Sequence, residues 1–216
     1  MVTVKGILTE ADREKLRDAV RDAEARTAGE IVVMVIPESD PYPLAGVIGA
    51  ALASLPAAAA LTPLAGGFFW MGEQNMWVFL TLFIGFFAGL HPLFMAAPVL
   101  KRLCISNREM AESIEKAAMT RFYRENLHAT REATGVLVLV SVFERRVQIL
   151  ADRGINDRVP PDTWNRLVAD IVSGIKSGEA AAALCRAVDG IADILERHFP
   201  CPPDDRDELE NLIIEP

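Results

Sequence analysis

The spacing of apolar residues predicts that the chain opens with a helix. Leu16, Ala19, Val20 and Ala23 recur at helical intervals behind Thr9, an N-cap with Asp12 three residues on, so a helix is expected from Thr9 to about Arg26. Gly29 interrupts it. Glu30-Ile-Val-Val-Met-Val-Ile36 follows, β-branched and closed by Pro37, and reads as a strand buried on both faces. The same helix–strand unit returns later. Ser106 or Asn107 caps a helix expected through about Arg131, Gly135 breaks it, and residues 136–142 form a second strand. A tight polar turn at Glu144-Arg-Arg146 leads into residues 147–151, so the second and third strands are predicted to form an antiparallel hairpin. Beyond Pro160 and Pro161, Trp164, Leu167, Val168, Ile171 and Ile175 mark a helix. Gly178 separates it from a last one carrying Ala183, Leu184, Ala187, Val188, Ile191 and Leu195, which closes at His198-Phe-Pro200. Strands covered by helices on both faces make an α/β fold of sandwiched layers.

Between the two helix–strand units the pattern changes. Residues 42–64 and 76–100 contain no charged side chain, and each run is long enough to cross a bilayer, which needs about 20 apolar residues. The expected spans are 43–64 and 76–98, bounded by Leu44, Leu64, Met76 and Pro98. Trp70 and Trp77 stand near the start of the second, as interfacial aromatics do. The first is rich in Ala and carries Pro56, expected to kink it. An amphipathic helix lying on the membrane would need basic residues on its polar face, and none occurs between Arg26 and Lys101. Gly46, Gly49 and Ala50 in the first run, and Gly85 and Gly89 in the second, offer small faces for close approach. The expected organisation is residues 1–40 as the first helix and strand, 41–100 as the hairpin, 101–199 as the remainder of the domain and 200–216 as an acidic tail. The apolar end of that tail, Leu212-Ile-Ile214, is expected to dock as a short helix or to be buried.

Charge sharpens this division. Residues 1–40 carry 6 Lys/Arg and 9 Asp/Glu, whereas residues 41–100 carry one charge, Glu73. Lys101, Arg102 and Arg108 follow the second run, basic residues precede the first, and the connection 65–75 has none, so both termini are expected on the cytoplasmic side of an inner membrane. No secretory signal is expected at the N-terminus, which runs straight into a charged segment. The net charge of −8 and the lack of a basic stripe exclude a nucleic-acid partner from the expectation. Cys104, Cys185 and Cys201 are odd in number and widely spaced, which predicts neither a disulfide framework nor a zinc site.

Thr27-Ala-Gly-Glu30-Ile-Val-Val, Thr134-Gly-Val-Leu-Val-Leu-Val-Ser141 and Glu144-Arg-Arg-Val-Gln-Ile-Leu-Ala-Asp152-Arg-Gly-Ile155 together resemble the TPM domain family. More narrowly, the chain looks like bacterial membrane proteins in which two transmembrane helices interrupt that domain after its first strand. The resemblance implies a three-layer α/β/α domain with a small mixed sheet. It also implies a role in assisting membrane complexes, such as photosystem repair or receptor modulation, and for some plant members a weak acid phosphatase activity. Soluble members commonly have Asp before the Arg of the turn between strands two and three, where this chain has Glu144.

Phosphoryl transfer requires a nucleophile or a metal-held water and groups that stabilise the transferring phosphoryl. No cysteine is followed by Arg at the sixth position, and Asp205-Arg-Asp207 follows no predicted strand. The best polar constellation is Glu144, Arg145 and Arg146 at the turn, with Asp152, Asn156 and Asp157 beyond the third strand. Glu144, Asp152, Asn156 and Asp157 supply oxygens that suit Ca²⁺ or Mg²⁺. The alternative for these residues is a solvated turn with exposed ion pairs. His128 reads as a helix-end surface residue, and His91, before Pro92 in the second span, as a polar group at membrane depth or a kink marker. The expectation is therefore a bilayer-anchored factor that binds another membrane protein or complex, with a metal-dependent phosphatase as the alternative.

Overall fold

Thr9 starts the first helix as its spacing predicts. In the computed structural model, which describes residues 8–70, 72, 75–130, 133–200 and 212–215, helix α1 spans Glu10–Glu24. Its capping box is complete: the Asp12 N–H donates to the Thr9 hydroxyl at 3.2 Å and the Thr9 N–H donates to the Asp12 carboxylate at 3.0 Å. The chain divides into two compact units, Pro41–Met110 and the remainder.

The remainder is built on four strands, β1 (Glu30–Ile36), β2 (Gly135–Ser141), β3 (Arg146–Ala151) and β4 (Leu212–Ile214), in the order β3-β2-β1-β4. β1 pairs in parallel with β2, from Glu30 beside Gly135 to Ile36 beside Ser141, and in parallel with β4. β2 and β3 form the predicted antiparallel hairpin. The sheet is therefore mixed. Because side chains alternate across a strand, β1 serves two cores. Ile31, Val33 and Val35 join Val136, Val138 and Val140 on one face, and Val32, Met34 and Ile36 join Leu137 and Leu139 on the other.

The first face is covered by α1, α7 (Pro161–Lys176) and α8 (Ala180–His198), through Leu16, Val20, Ile171, Leu184, Val188, Ile191 and Leu195. The second is covered by α5 (Asn107–Arg124), through Ile114, Ala117, Ala118 and Phe122. This is the three-layer α/β/α arrangement. Each fully buried Leu, Ile or Val contributes about 1.5–3 kcal/mol of burial.

Two local expectations are corrected. The helix beginning at Ser106, whose hydroxyl accepts from the Glu109 N–H at 3.1 Å, stops at Arg124 rather than near Arg131. Asn126 adopts a left-handed conformation, φ 58°, which ends the helix and starts a 3-10 turn at Leu127–Ala129. Leu127 is buried, and a Cβ at Gly135 would lie 2.3 Å from its carbonyl oxygen, so only glycine allows this close approach. Leu212-Ile-Ile214 is a strand, not a helix, because β1 leaves an edge that its backbone can extend. A short helix, α6 (Arg153–Asn156), follows β3.

The other unit holds α2 (Pro43–Phe68), α3 (Met76–Ala96) and α4 (Pro98–Leu103). α2 runs through both Pro56 and Pro63. α3 ends at Ala96, two residues before the expected boundary at Pro98, because Ala97 is extended and Pro98 begins α4. A stripe of small residues on α2, including Ala45, Gly46, Gly49, Ala50, Ser54 and Ala58, is buried. A Cβ at Gly46 would meet Met95, and one at Gly49 would meet Phe94 and Cys104. Gly85 and Gly89 on α3 face open space instead. The Ser54 and Thr62 hydroxyls donate to carbonyls one turn back in α2, so neither is an unsatisfied donor. Expectations for Glu73, Arg131, Cys201 and the acidic run 204–210 concern residues outside those described.

Candidate functional site

The C-terminal ends of parallel strands are where α/β sheets place their sites. Here β1 and β2 end side by side. Beyond them the backbone stays paired: the Val142 N–H donates to the Ile36 carbonyl at 3.1 Å and the Phe143 N–H to the Pro37 carbonyl at 2.9 Å. This zipper carries Glu144 inward against the segment that follows β1. Glu144 is 1% exposed. Its Oε1 accepts from the Ser39 N–H at 2.9 Å and from the Ser39 hydroxyl at 2.5 Å, and its Oε2 accepts from the Ser141 hydroxyl. A buried carboxyl with three donors from two strand ends is a structural tie. The solvated-turn reading of Glu144 is thus overturned.

Arg145 closes the loop between β2 and β3 with φ 53°, a left-handed conformation that favours glycine or asparagine. Its side chain is exposed. Arg145 and Arg146 line a cavity of about 300 Å³ together with Val140, Ser141, Val142, Val147, Val172, Ile175 and Lys176. Lys176 comes from the last turn of α7, so the cavity lies between that turn and the β2–β3 loop.

Asp152, Asn156 and Asp157 lie elsewhere. Ser141 faces Arg146 at one end of the hairpin and Val136 faces Ala151 at the other, so Asp152 is one strand length from Glu144, about 20 Å at about 3.4 Å per residue. The four expected metal ligands do not converge on one ion. Asp152 caps α6, its Oδ1 accepting from the Arg153 N–H at 2.7 Å, while its Oδ2 is buried without a hydrogen-bond partner. The Asn156 amide donates to the Ala151 carbonyl at 2.7 Å, and Asp157 lies 3.7 Å from Arg153 on the surface. Among the described residues, no group of three His, Cys, Asp or Glu is placed to hold a metal ion. The extended strand β3, Arg146–Ala151, stands between Glu144 and the other three, which are close to it only along the chain.

His128 is exposed beside the Tyr123 ring, whose centroid is 4.8 Å away, and His91 stacks on Phe87 at 5.9 Å. Neither adjoins a nucleophile among the described contacts. Sequence reasoning picked out Glu144, Arg145 and Arg146 but missed Ser39, Ser141 and Lys176. Ser141 was legible in principle, as the one hydroxyl in an otherwise apolar strand.

The fold is an α/β/α domain with a small mixed sheet, and a pair of apolar helices sits within the β1–β2 crossover. Residues 102–194 match the family model of the TPM domain, so the chain carries a TPM domain. The match covers α5 to α7, β2, β3 and most of α8, and β1 and β4, from outside it, belong to the same sheet. An NMR structure of the BA42 protein from the psychrophilic bacterium Bizionia argentinensis is similar, with a TM-score of 0.60, 21% identity and 100% coverage of both chains. That likeness carries the fold. No curated protein matches the sequence.

Proposed function

We propose that this chain is a membrane-anchored TPM-domain protein serving as an interaction or assembly and repair factor for a membrane complex, rather than an enzyme. The observation that carries the reading is the exposure of two helices long and apolar enough to cross a membrane. In the most apolar stretch, 33% of α2 residues and 6% of α3 residues are buried, whereas the core helix of a soluble domain would be mostly buried. Leu44, Leu52, Leu64, Phe68 and Trp77 are each more than 60% exposed. Such a surface needs lipid or another apolar partner. The proposed anchoring is multi-pass in a bacterial inner membrane, with both termini on the cytoplasmic side, because the basic residues flank the hairpin.

The case against catalysis is geometric: the expected acidic cluster is divided between two ends of a hairpin, and Glu144 is consumed by Ser39 and Ser141. Alkaline carbonate extraction tests the anchor; retention in the membrane pellet supports it and release overturns it. Photocrosslinkers placed on exposed positions of the TPM domain test the partner. A discrete adduct with one integral membrane protein is expected, and recovery of the chain alone from native membranes at every position would overturn the interaction reading.

One observation favours a phosphatase instead, the buried and unpartnered Asp152 Oδ2. Divalent-ion-dependent phosphomonoester turnover that disappears in a folded Asp152→Asn variant would establish that second reading.

A further inference from the structure

The cavity between the β2–β3 loop and the last turn of α7 inverts the charge of its surroundings. The whole chain has 30 Asp and Glu against 22 Lys and Arg, yet the residues lining this cavity include Arg145, Arg146 and Lys176 and no carboxylate. Its remaining wall is apolar apart from Ser141: Val140, Val142, Val147, Val172 and Ile175. Like charges gathered around a low-dielectric wall repel one another and focus a positive potential into the cavity, which an anion relieves. Arg146 already has an interaction of its own, so the argument rests on Arg145 and Lys176, which are exposed and unpaired among the described residues.

Arg145 gives the second, independent observation. At φ 53° it occupies the closing position of a four-residue loop, where glycine would sit without steric penalty and a side chain is strained. Residues held in this region at a cavity edge point to a side chain that is used. Lys176 on its own would be explained by the negative end of the α7 dipole, but that account leaves Arg145 unexplained.

We propose that this cavity binds the headgroup of an anionic phospholipid, the phosphodiester held between Arg145 and Lys176 and the glycerol and upper acyl carbons resting on the valine and isoleucine wall. An anion with an apolar extension fits this lining better than a free inorganic ion, which would leave the apolar wall wet. The source is a lipid because α2 and α3 are long and apolar enough to cross a membrane. That choice of source rests on the membrane anchoring proposed above. The binding step itself does not.

The test uses the full chain in a neutral detergent, titrated calorimetrically with dihexanoyl phosphatidylglycerol, dihexanoyl phosphatidylcholine and inorganic phosphate. Saturable binding of phosphatidylglycerol, at least tenfold tighter than of either other probe, is expected, and Arg145→Gly and Lys176→Gln should each weaken it about tenfold. Arg145→Gly should also melt no lower than the parent, since glycine relieves the turn. Equal binding of the two phospholipids, or undiminished binding by Arg145→Gly, would overturn the site. Inorganic phosphate binding as tightly as phosphatidylglycerol would overturn the lipid source. Because detergent binding needs no inserted hairpin, failure here is distinguishable from failure of carbonate retention.

Discussion

Ser39 and Glu144, 105 residues apart, meet through two hydrogen bonds, one from the Ser39 N–H at 2.9 Å and one from its hydroxyl at 2.5 Å, both to Glu144 Oε1. The contact joins the segment leaving β1 to the loop leaving β2, so it locks the parallel pair at the end where the chain departs toward α2. Everything inserted between the two strands is bypassed by it.

Removing the carboxyl should therefore loosen the sheet. Glu144→Ala strands the Ser39 N–H and two hydroxyls without their acceptor, and buried donors left unsatisfied cost about 1–3 kcal/mol each before relaxation. A loss of about 3 kcal/mol in unfolding free energy is expected, against about 1 kcal/mol for Ser39→Ala. Hydrogen exchange at the β1 and β2 amides would show the loss where it occurs. Unchanged protection would mean that the Glu144 contacts contribute nothing net.

The C-terminal strand carries its own pH dependence. Burial alone would raise the Glu215 carboxyl, but hydrogen bonds from Arg121, at 2.7 Å, and from Arg124, at 2.9 Å, outweigh it and hold the group below its usual value. A carboxyl lowered in the folded state stabilises fully above its unfolded pKa, and that contribution is lost as pH falls through the folded value. Docking of β4 should thus be firm at neutral pH and weaken below the ordinary glutamate range. Proteolysis of the tail as a function of pH reads this directly. Glu215→Gln should flatten the response, and a tail equally protected at pH 3 and pH 7 would refute it.

Cys185 should be a slow thiol. Burial first, and then the negative Asp189, push its thiol above the usual range, and only the thiolate reacts. In a variant with Cys104 and Cys201 replaced by Ala, iodoacetamide labelling at pH 8 should run well below the rate seen in denaturant. Asp189→Asn should speed it modestly. Labelling as fast as in denaturant would show that the site opens readily.

Much of this architecture was legible because its signals are local. Thr9 with Asp12 announced α1, the apolar run from Glu30 to Ile36 announced a strand buried on both faces, and the charge gap announced α2 and α3. What sequence missed depends on distance. β4 is three residues long, too short to show a period, and exists because β1 offers it an edge 179 positions away. Arg124 ends α5 because Asn126 turns left-handed, while the polar sequence beyond it is still compatible with helix. The site was half seen: Glu144-Arg-Arg146 stood out, but Glu144 looked solvent-facing because its partners, Ser39 and Ser141, come from other elements. Asp152 looked close to it only along the chain.

The glycines of the hairpin separate two readings of how its helices pack. The sequence offered Gly85 and Gly89 as a small face equal in standing to Gly46 and Gly49, yet only the latter pair is used between α2 and α3. A Cβ at Gly49 would lie 2.3 Å from Phe94 Cδ1 and 2.8 Å from Cys104 Sγ, whereas one at Gly85 would meet nothing within 4 Å. Dense packing cannot absorb such a clash without moving a helix, so Gly49→Val should cost about 1–3 kcal/mol of stability. Gly85→Val, at an open position, should change it by no more than about 0.5 kcal/mol. Thermal melting of the two variants in neutral detergent compares them in one experiment. Should Gly85→Val melt lower than Gly49→Val, the α2–α3 contact would not be the one that glycine serves, and the open face of α3 would have to pack on a second copy or another membrane helix.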